Sequence, residues 1–178
     1  MKYKVPFLIP ALFSVMVLFA EKTPVIKIYA YSQVISQGKN PGQGIINENG
    51  TEEKEKVKPG IHYLIYLEQA RTDIVIPEHI WIHGKGYSIE SILITDTPVE
   101  LENQAVYNGS KKNMLVPETS NKVLQLVQTG IYKEPGKRQL TLKKLISASD
   151  LVVSYFWKGK MYYKGIKKIK MLEPIAAV

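Results

Sequence analysis

A chain of 178 residues, 45% hydrophobic and 22% charged, has the size and composition of one globular domain, so neither disorder nor a two-domain architecture is the default. The formal net charge is +8 and there is no cysteine, which excludes disulfide staples, thiolate metal sites, thiol nucleophiles and redox dithiols. Burial therefore has to stabilise the fold.

Residues 1–20 stand apart from the rest. Lys2 and Lys4 precede an apolar run from Val5 to Phe19, broken in polarity only at Ser14, and Ala20 is followed by Glu-Lys-Thr-Pro. This is the layout of a secretory signal peptide, although Leu18 sits where a small residue is preferred and Pro10 interrupts the run. The run is shorter than the roughly twenty apolar residues that span a bilayer, so it reads as a cleaved leader rather than an anchor. In either case residues 21–178, read as a single domain, face outward. With no cysteine to carry a lipid, a bacterial periplasmic or cell-surface location is expected.

Pro24 leads into Val25 to Ile35, where Ile26, Ile28, Ala30 and Ser32 alternate with Val25, Lys27, Tyr29 and Tyr31, a first strand. From 38 to 60, glycine, proline and asparagine punctuate a long polar loop with a charged run from Glu52 to Lys56 and room for a short strand at Gly44-Ile45-Ile46. Lys39 to Gly44 is glycine-rich but lacks the Gly-Lys-Ser/Thr ending of a phosphate loop. Ile61 to Glu68 is apolar on both faces, as a strand in the middle of a sandwich is. Pro77 places the start of the next strand at an edge or a bulge. Beyond it Ile80 and Ile82 share one face and His79, Trp81 and His83 the other, before a turn at Gly84–Gly86 and a return from Tyr87 to Ile94.

Shorter runs follow. Thr97-Pro98 opens one that ends at Leu101, Asn108-Gly109 is a favoured hairpin turn, and Met114 to Pro117 is brief and extended. Val123 to Gln128 and Leu140 to Ile146 fit a strand or a short helix equally well, with Pro135-Gly136 as a turn between them. The last unit is a hairpin within 151–172: Leu151 to Trp157, the turn Lys158-Gly159-Lys160, then Met161 to Lys164 and on through Ile166 to Leu172. It echoes Trp81-Ile-His-Gly-Lys-Gly-Tyr87, as two hairpins would that meet the same need for a glycine at positive φ and for aromatics on the flanking strands. Recurring short strands without a long amphipathic stretch predict an all-β antiparallel sandwich of immunoglobulin-like type.

Few residues suggest chemistry. His62, His79 and His83 invite a metal site, but on a strand His79 and His83 lie about 13 Å apart with Trp81 between them, too far to share one zinc. No Gly-x-Ser-x-Gly is present, and Ser147 and Ser149 have no partner that the sequence identifies. Glu100 and Glu102, about 7 Å apart on one face of a strand, match a glycosidase pair only superficially. No catalytic residue, metal or cofactor is assigned.

Charge is the stronger signal. Between Ile131 and Lys170 there are eleven basic residues against Glu134 and Asp150, a net of +9, whereas Glu21 to Gly130 is close to neutral. Tyr155, Phe156, Trp157, Tyr162 and Tyr163 are interleaved with these cations. Stacking plus phosphate contact would suit single-stranded nucleic acid, but an exported protein rarely meets it and no RNA-binding signature is present. Lysine outnumbers arginine ten to one here, which suits diffuse attraction to an anionic surface, or simple protection of a strand edge, better than bidentate recognition.

The expectation is a non-catalytic binding or accessory module of the bacterial envelope, a monomer whose partner is an envelope protein or an anionic component such as a lipid headgroup or acidic glycan. Candidate contact residues on the first turn are Trp81, Lys85 and Tyr87. On the hairpin they are Trp157, Lys158, Lys160 and Tyr162, followed by Lys167, Lys168 and Lys170. Two alternatives stand beside this: a carbohydrate-binding module using Trp81 and Trp157, and a small hydrolase.

Overall fold

The computed structural model describes residues 23–36, 45–46, 52–53, 60–102, 112–133 and 139–176. The expected leader at 1–20, most of the 38–60 loop and the turns at Asn108-Gly109 and Pro135-Gly136 lie outside the described residues.

Among the described residues the chain is all-β with one short helix. In order, the strands are β1 (Val25–Ser36), β2 (Ile45–Ile46), β3 (Glu52–Glu53), β4 (Gly60–Gln69), β5 (Ile76–Ile82), β6 (Lys85–Ile94), β7 (Val99–Glu102), β8 (Lys112–Val116) and β9 (Lys122–Ile131). Helix α1 (Leu140–Ser147) follows, then β10 (Leu151–Trp157), β11 (Lys160–Ile166), β12 (Lys170–Met171) and β13 (Ile175–Ala176). The ambiguous segment before residue 131 is thus a strand, and the one after 139 a helix.

Where turn spacing predicts two separate immunoglobulin-like sheets, the long strands join into one sheet of nine, in the order β11-β10-β5-β6-β9-β4-β1-β12, with β13 also on β1. The reason lies in β9. Its first half pairs with β4 while its whole length pairs with β6, which fuses what would be two halves. The neighbours from β11 to β1 are antiparallel, but β12 and β13 add to β1 in parallel, so the sheet is mixed.

Alternation along the strands gives the sheet two working faces. The inward face gathers Ile28 and Ala30 of β1, Ile65 and Leu67 of β4, Ile80 and Ile82 of β5, Leu126 of β9, and Leu151, Val153 and Tyr155 of β10 into one core. Residues from both ends of the sheet meet there, so the sheet is curled around its own inward face. The outward face is covered twice. The β7–β8 hairpin lays Leu115 and Val116 on Tyr29, Tyr31, Leu64 and Tyr66, and α1 lays Leu142 and Ile146 on Trp81 and Val152.

Two turns set the register. The β5–β6 loop is His83-Gly84 and the β10–β11 loop is Lys158-Gly159, two residues each, all with positive φ (46° and 82°, 48° and 72°). That is the type I′ requirement, and its twist matches the flanking strands. The first loop begins one residue earlier than the expected Gly84–Gly86 turn, and the second takes the first two positions of the expected Lys158-Gly159-Lys160 turn, so the shared unit is x-Gly-Lys. Trp81 stands two residues before its loop and Trp157 immediately before its own, which puts the two indoles on opposite faces of the sheet. Pro77 does sit at a bulge: the β5–β10 register shifts between Ser154 and Tyr155, and the Ser154 hydroxyl accepts from the His79 N–H (3.1 Å) and donates to the His79 carbonyl (3.2 Å).

Candidate functional site

The β10–β11 hairpin sorts its side chains by parity. Tyr155, Trp157 and Tyr162 turn inward, where Tyr155 and Tyr162 stack with ring centroids 5.8 Å apart and Trp157 lies 5.7 Å from Tyr162. The Trp157 indole N–H donates to Asp73 Oδ1 at 3.0 Å, and Lys158 Nζ lies 4.5 Å from the centre of its ring. Phe156, Met161 and Tyr163 turn outward, and Tyr163 packs beside Trp81. Hydrophobic alternation, not a ligand, accounts for most of the aromatic content.

The predicted contact residues consequently fall into different environments. Trp81 is only 3% exposed, shut in by α1 and flanked by Tyr132 and Tyr163. An indole so enclosed has no face to stack on a sugar. Gly86 allows this closure, since a Cβ there would stand 2.9 Å from the Tyr132 carbonyl and 3.3 Å from Trp81 Nε1. Tyr87 and Tyr162 are half-buried against the inward core, while Lys85, Lys158 and Lys160 are exposed at the two turns. Lys167, Lys168 and Lys170 are exposed at the far end of β11, and Lys170 Nζ lies 5.8 Å from the Tyr31 ring centre. The predicted contact lysines of the hairpin therefore form two groups, one at each end of β11, rather than a single patch.

The histidines do not converge. His79 stacks on Tyr132 at 3.7 Å, with its Nδ1 2.6 Å from the Glu78 carbonyl; His62 is exposed opposite Gln33 on β1. His83 Nδ1 stands 3.7 Å from Asp150 Oδ1. Among the described residues no group of three or more His, Cys, Asp or Glu is placed to hold a metal ion. Glu100 forms an exposed ion pair with Lys112 at 3.2 Å.

Two concavities flank α1. The larger, about 520 Å³, lies between α1 and β11 and is lined by Leu142, Leu145, Ala148, Met161, Tyr162 and Tyr163, with Thr141 and Lys144. The smaller, about 460 Å³, is lined by His83, Gly84, Lys143, Ile146, Ser147, Ser149 and Asp150. Pairing of Ile82 with Leu151 brings His83 to Asp150, and the His83 N–H donates to the Asp150 carbonyl at 2.8 Å. This assembles a histidine, a carboxylate and two serines. The Ser147 hydroxyl, however, donates to the Lys144 carbonyl within its own helix, and Ser149 packs against Gly165. Neither serine hydroxyl is hydrogen-bonded to His83, so the nucleophile–base contact of a hydrolase is not made.

Three features escape the sequence. The groove needs a helix whose spacing, Leu142 to Leu145 and Ile146, is present but overlaps a strand pattern. Lys164 looks like its neighbours, yet its ammonium donates to the Val25 carbonyl (2.6 Å) and the Ile26 carbonyl (3.1 Å), tying the β11 end of the sheet to β1; burial pushes its pKa below the ordinary value. Glu68 is buried on the outward face, where its carboxylate accepts from the Tyr29 hydroxyl (2.8 Å), the Thr119 hydroxyl (2.8 Å) and the Asn121 amide (2.7 Å). Burial opposes its charge, but the bonds from Asn121, Tyr29 and Thr119 and the Lys27 charge outweigh burial and hold Glu68 below the usual carboxylate value. Burial first, then the bond to Glu68, pushes Tyr29 up to about 12. Every oxygen of this carboxylate is engaged, so Glu68 anchors the β7–β8 cover rather than serving a substrate.

No protein-family model matches the chain, and no curated protein or solved structure matches it either.

Proposed function

We propose that this chain is an exported, non-catalytic binding or accessory module of the bacterial cell envelope, and that its contact surface is the outward face of the C-terminal hairpin together with α1. The observation that carries the reading is the composition of that face. An apolar groove lies between α1 and β11, with Lys144 in its lining, and the adjoining turn exposes Lys158 and Lys160, of which Lys158 lies over the inward Trp157. Apolar patches rimmed by polar residues mark interaction sites more often than they mark structural surface. The leader-like layout of residues 1–20 supports export. The enclosure of Trp81 favours this reading over a sugar-stacking platform, and the engaged hydroxyl of Ser147 favours it over a hydrolase.

The test is recovery of the tagged, natively exported chain from solubilised envelopes at low and at high salt, beside a variant carrying Lys144→Glu, Lys158→Glu and Lys160→Glu. Specific material retained by the natural chain and lost from the variant is the expected result. Recovery of the same material by both, or of none by either, would sink the assignment of this face.

A further inference from the structure

The two covers of the outward face are secured very differently. The β7–β8 cover is pinned by hydrogen bonds, since the Tyr31 hydroxyl donates to the Leu115 carbonyl at 2.6 Å and Glu68 holds Thr119 and Asn121 just beyond β8. Helix α1 has no such ties: among the described residues, no hydrogen bond or ion pair joins 140–147 to the sheet. Its eight residues fall short of the roughly twelve to fifteen at which an isolated helix is even marginal in water. No side chain caps its N-terminus, its first turn holds no acidic residue, and Leu140 there is 76% exposed. What holds α1 is the burial of Leu142 and Ile146 against Trp81 and Val152. The indole N–H beneath has no hydrogen-bond partner, so no polar contact locks the closed arrangement.

The C-terminal end of α1 is fixed where its N-terminal end is not. Asp150 donates its N–H to the Ile166 carbonyl (2.9 Å), accepts the His83 N–H on its own carbonyl (2.8 Å) and accepts the Ile169 N–H on Oδ2 (3.1 Å). Ser149 and Leu145 settle against Gly165, where a Cβ would stand 2.5 Å from Ser149 Oγ and 3.0 Å from Leu145 Cδ1. Further along, the helix stands off β11 across the apolar groove. The strands beneath do not depend on the helix. Leu151, Val153 and Tyr155 of β10 are buried in the inward core on the other face, and β10 is paired on both sides.

We propose that α1 is a hinged cover: residues 140–147 lift from β5 and β10 about Ala148 while the sheet stays folded. The protein then presents this face in two forms, one closed and one with Trp81 and Val152 bared. The inference concerns the motion alone and holds whatever the face binds.

The absence of cysteine makes the test clean. Val152 and Val153 are both 0% exposed, but Val152 lies under α1 and Val153 faces the inward core. Single-thiol chains carrying Val152→Cys or Val153→Cys, each shown to be folded by circular dichroism, are labelled with iodoacetamide without denaturant. The thiol at 152 is expected to react at least about a hundredfold faster than the one at 153, since local opening lies well below global unfolding in free energy. Adding Ile146→Ala, which removes half of the anchor, should speed labelling at 152 by at least a further factor of about ten. Hydrogen exchange on the natural chain gives the same reading without a cysteine: the amides of α1 should be at least about a hundredfold less protected than those of β10. Equal labelling at the two positions, whether fast or slow, overturns the proposal. So does a rate at 152 that ignores Ile146→Ala, or α1 amides as protected as those of β10.

Discussion

Replacing Trp81 gives a clear test of how the outward face is packed. Its indole is enclosed by Leu142 and Ile146 from α1, by Val152 from β10 and by Tyr132 and Tyr163, and its Nε1 is buried without a hydrogen-bond partner. Trp81→Ala removes the largest side chain of that cluster, and truncations of this kind cost about 3–5 kcal/mol. Trp81→Phe keeps most of the packing and also removes the unpaired N–H, whose burial alone costs about 1–3 kcal/mol. The two terms oppose each other, so the phenylalanine variant is expected to fall within about 1–2 kcal/mol of the natural chain. The assay is urea unfolding followed by circular dichroism. With a slope of about 2 kcal/mol per molar, the alanine variant should lower the midpoint by roughly 1.5–2.5 M and the phenylalanine variant should shift it by no more than roughly 0.5–1 M. An alanine midpoint close to that of the natural chain would show that α1 does not close over Trp81. A phenylalanine variant as damaged as the alanine one would show that the indole N–H is satisfied after all.

Glu68 supplies a pH test. Its folded pKa lies below the ordinary 4.5, so its stabilisation is present above that value and is lost as pH falls through the folded pKa; the midpoint gap between the natural chain and Glu68→Gln should close on acidification, and a constant gap would refute the network. Tyr29 has the opposite sense: with its pKa raised from 10.0 to about 12, its contribution should be intact below pH 10 and fade towards pH 12, read as a closing gap to Tyr29→Phe, and a gap that persists would refute the bond to Glu68. Gly159→Ala forces a Cβ into positive φ in open space, so it should cost about 1–2 kcal/mol by urea midpoint, and no cost would mean that the turn is not type I′. Lys164→Met removes the donor to the Val25 and Ile26 carbonyls and should cost about 1–3 kcal/mol, with faster amide exchange at the start of β1; exchange unchanged there would deny the tie between the two ends of the sheet.

What could be read in advance follows the range of the interactions. The alternation in Val25 to Ile35 and the double-sided apolarity of Ile61 to Glu68 are local, and β1 and β4 form where those patterns lie. Gly84 and Gly159 announce their turns for the same reason, since positive φ is a requirement of the residue itself. The helix was ambiguous because Leu140 and Leu142 satisfy a strand repeat while Leu142, Leu145 and Ile146 satisfy a helical one, and only packing on Trp81 and Val152 decides between them. Nothing local says that β9 pairs on both sides, and that pairing turns two expected sheets into one curled sheet. The split of the lysines between the two ends of β11 and the meeting of His83 with Asp150 follow from the same long-range registers. Lys164 and Lys160 share one face of β11, and only position along the strand brings the Lys164 ammonium to the Val25 and Ile26 carbonyls.

The most direct test of the account is site-specific photo-crosslinking in envelope-bearing cells, with the reactive group placed at Met161 in the groove beside α1 or at Met114 on β8, which covers the other outward cluster and is also exposed. Adducts with envelope material from position 161 and few from position 114 are the predicted result. Adducts from 114 alone, or equally from both, would contradict the assignment of the hairpin face as the surface through which this protein acts.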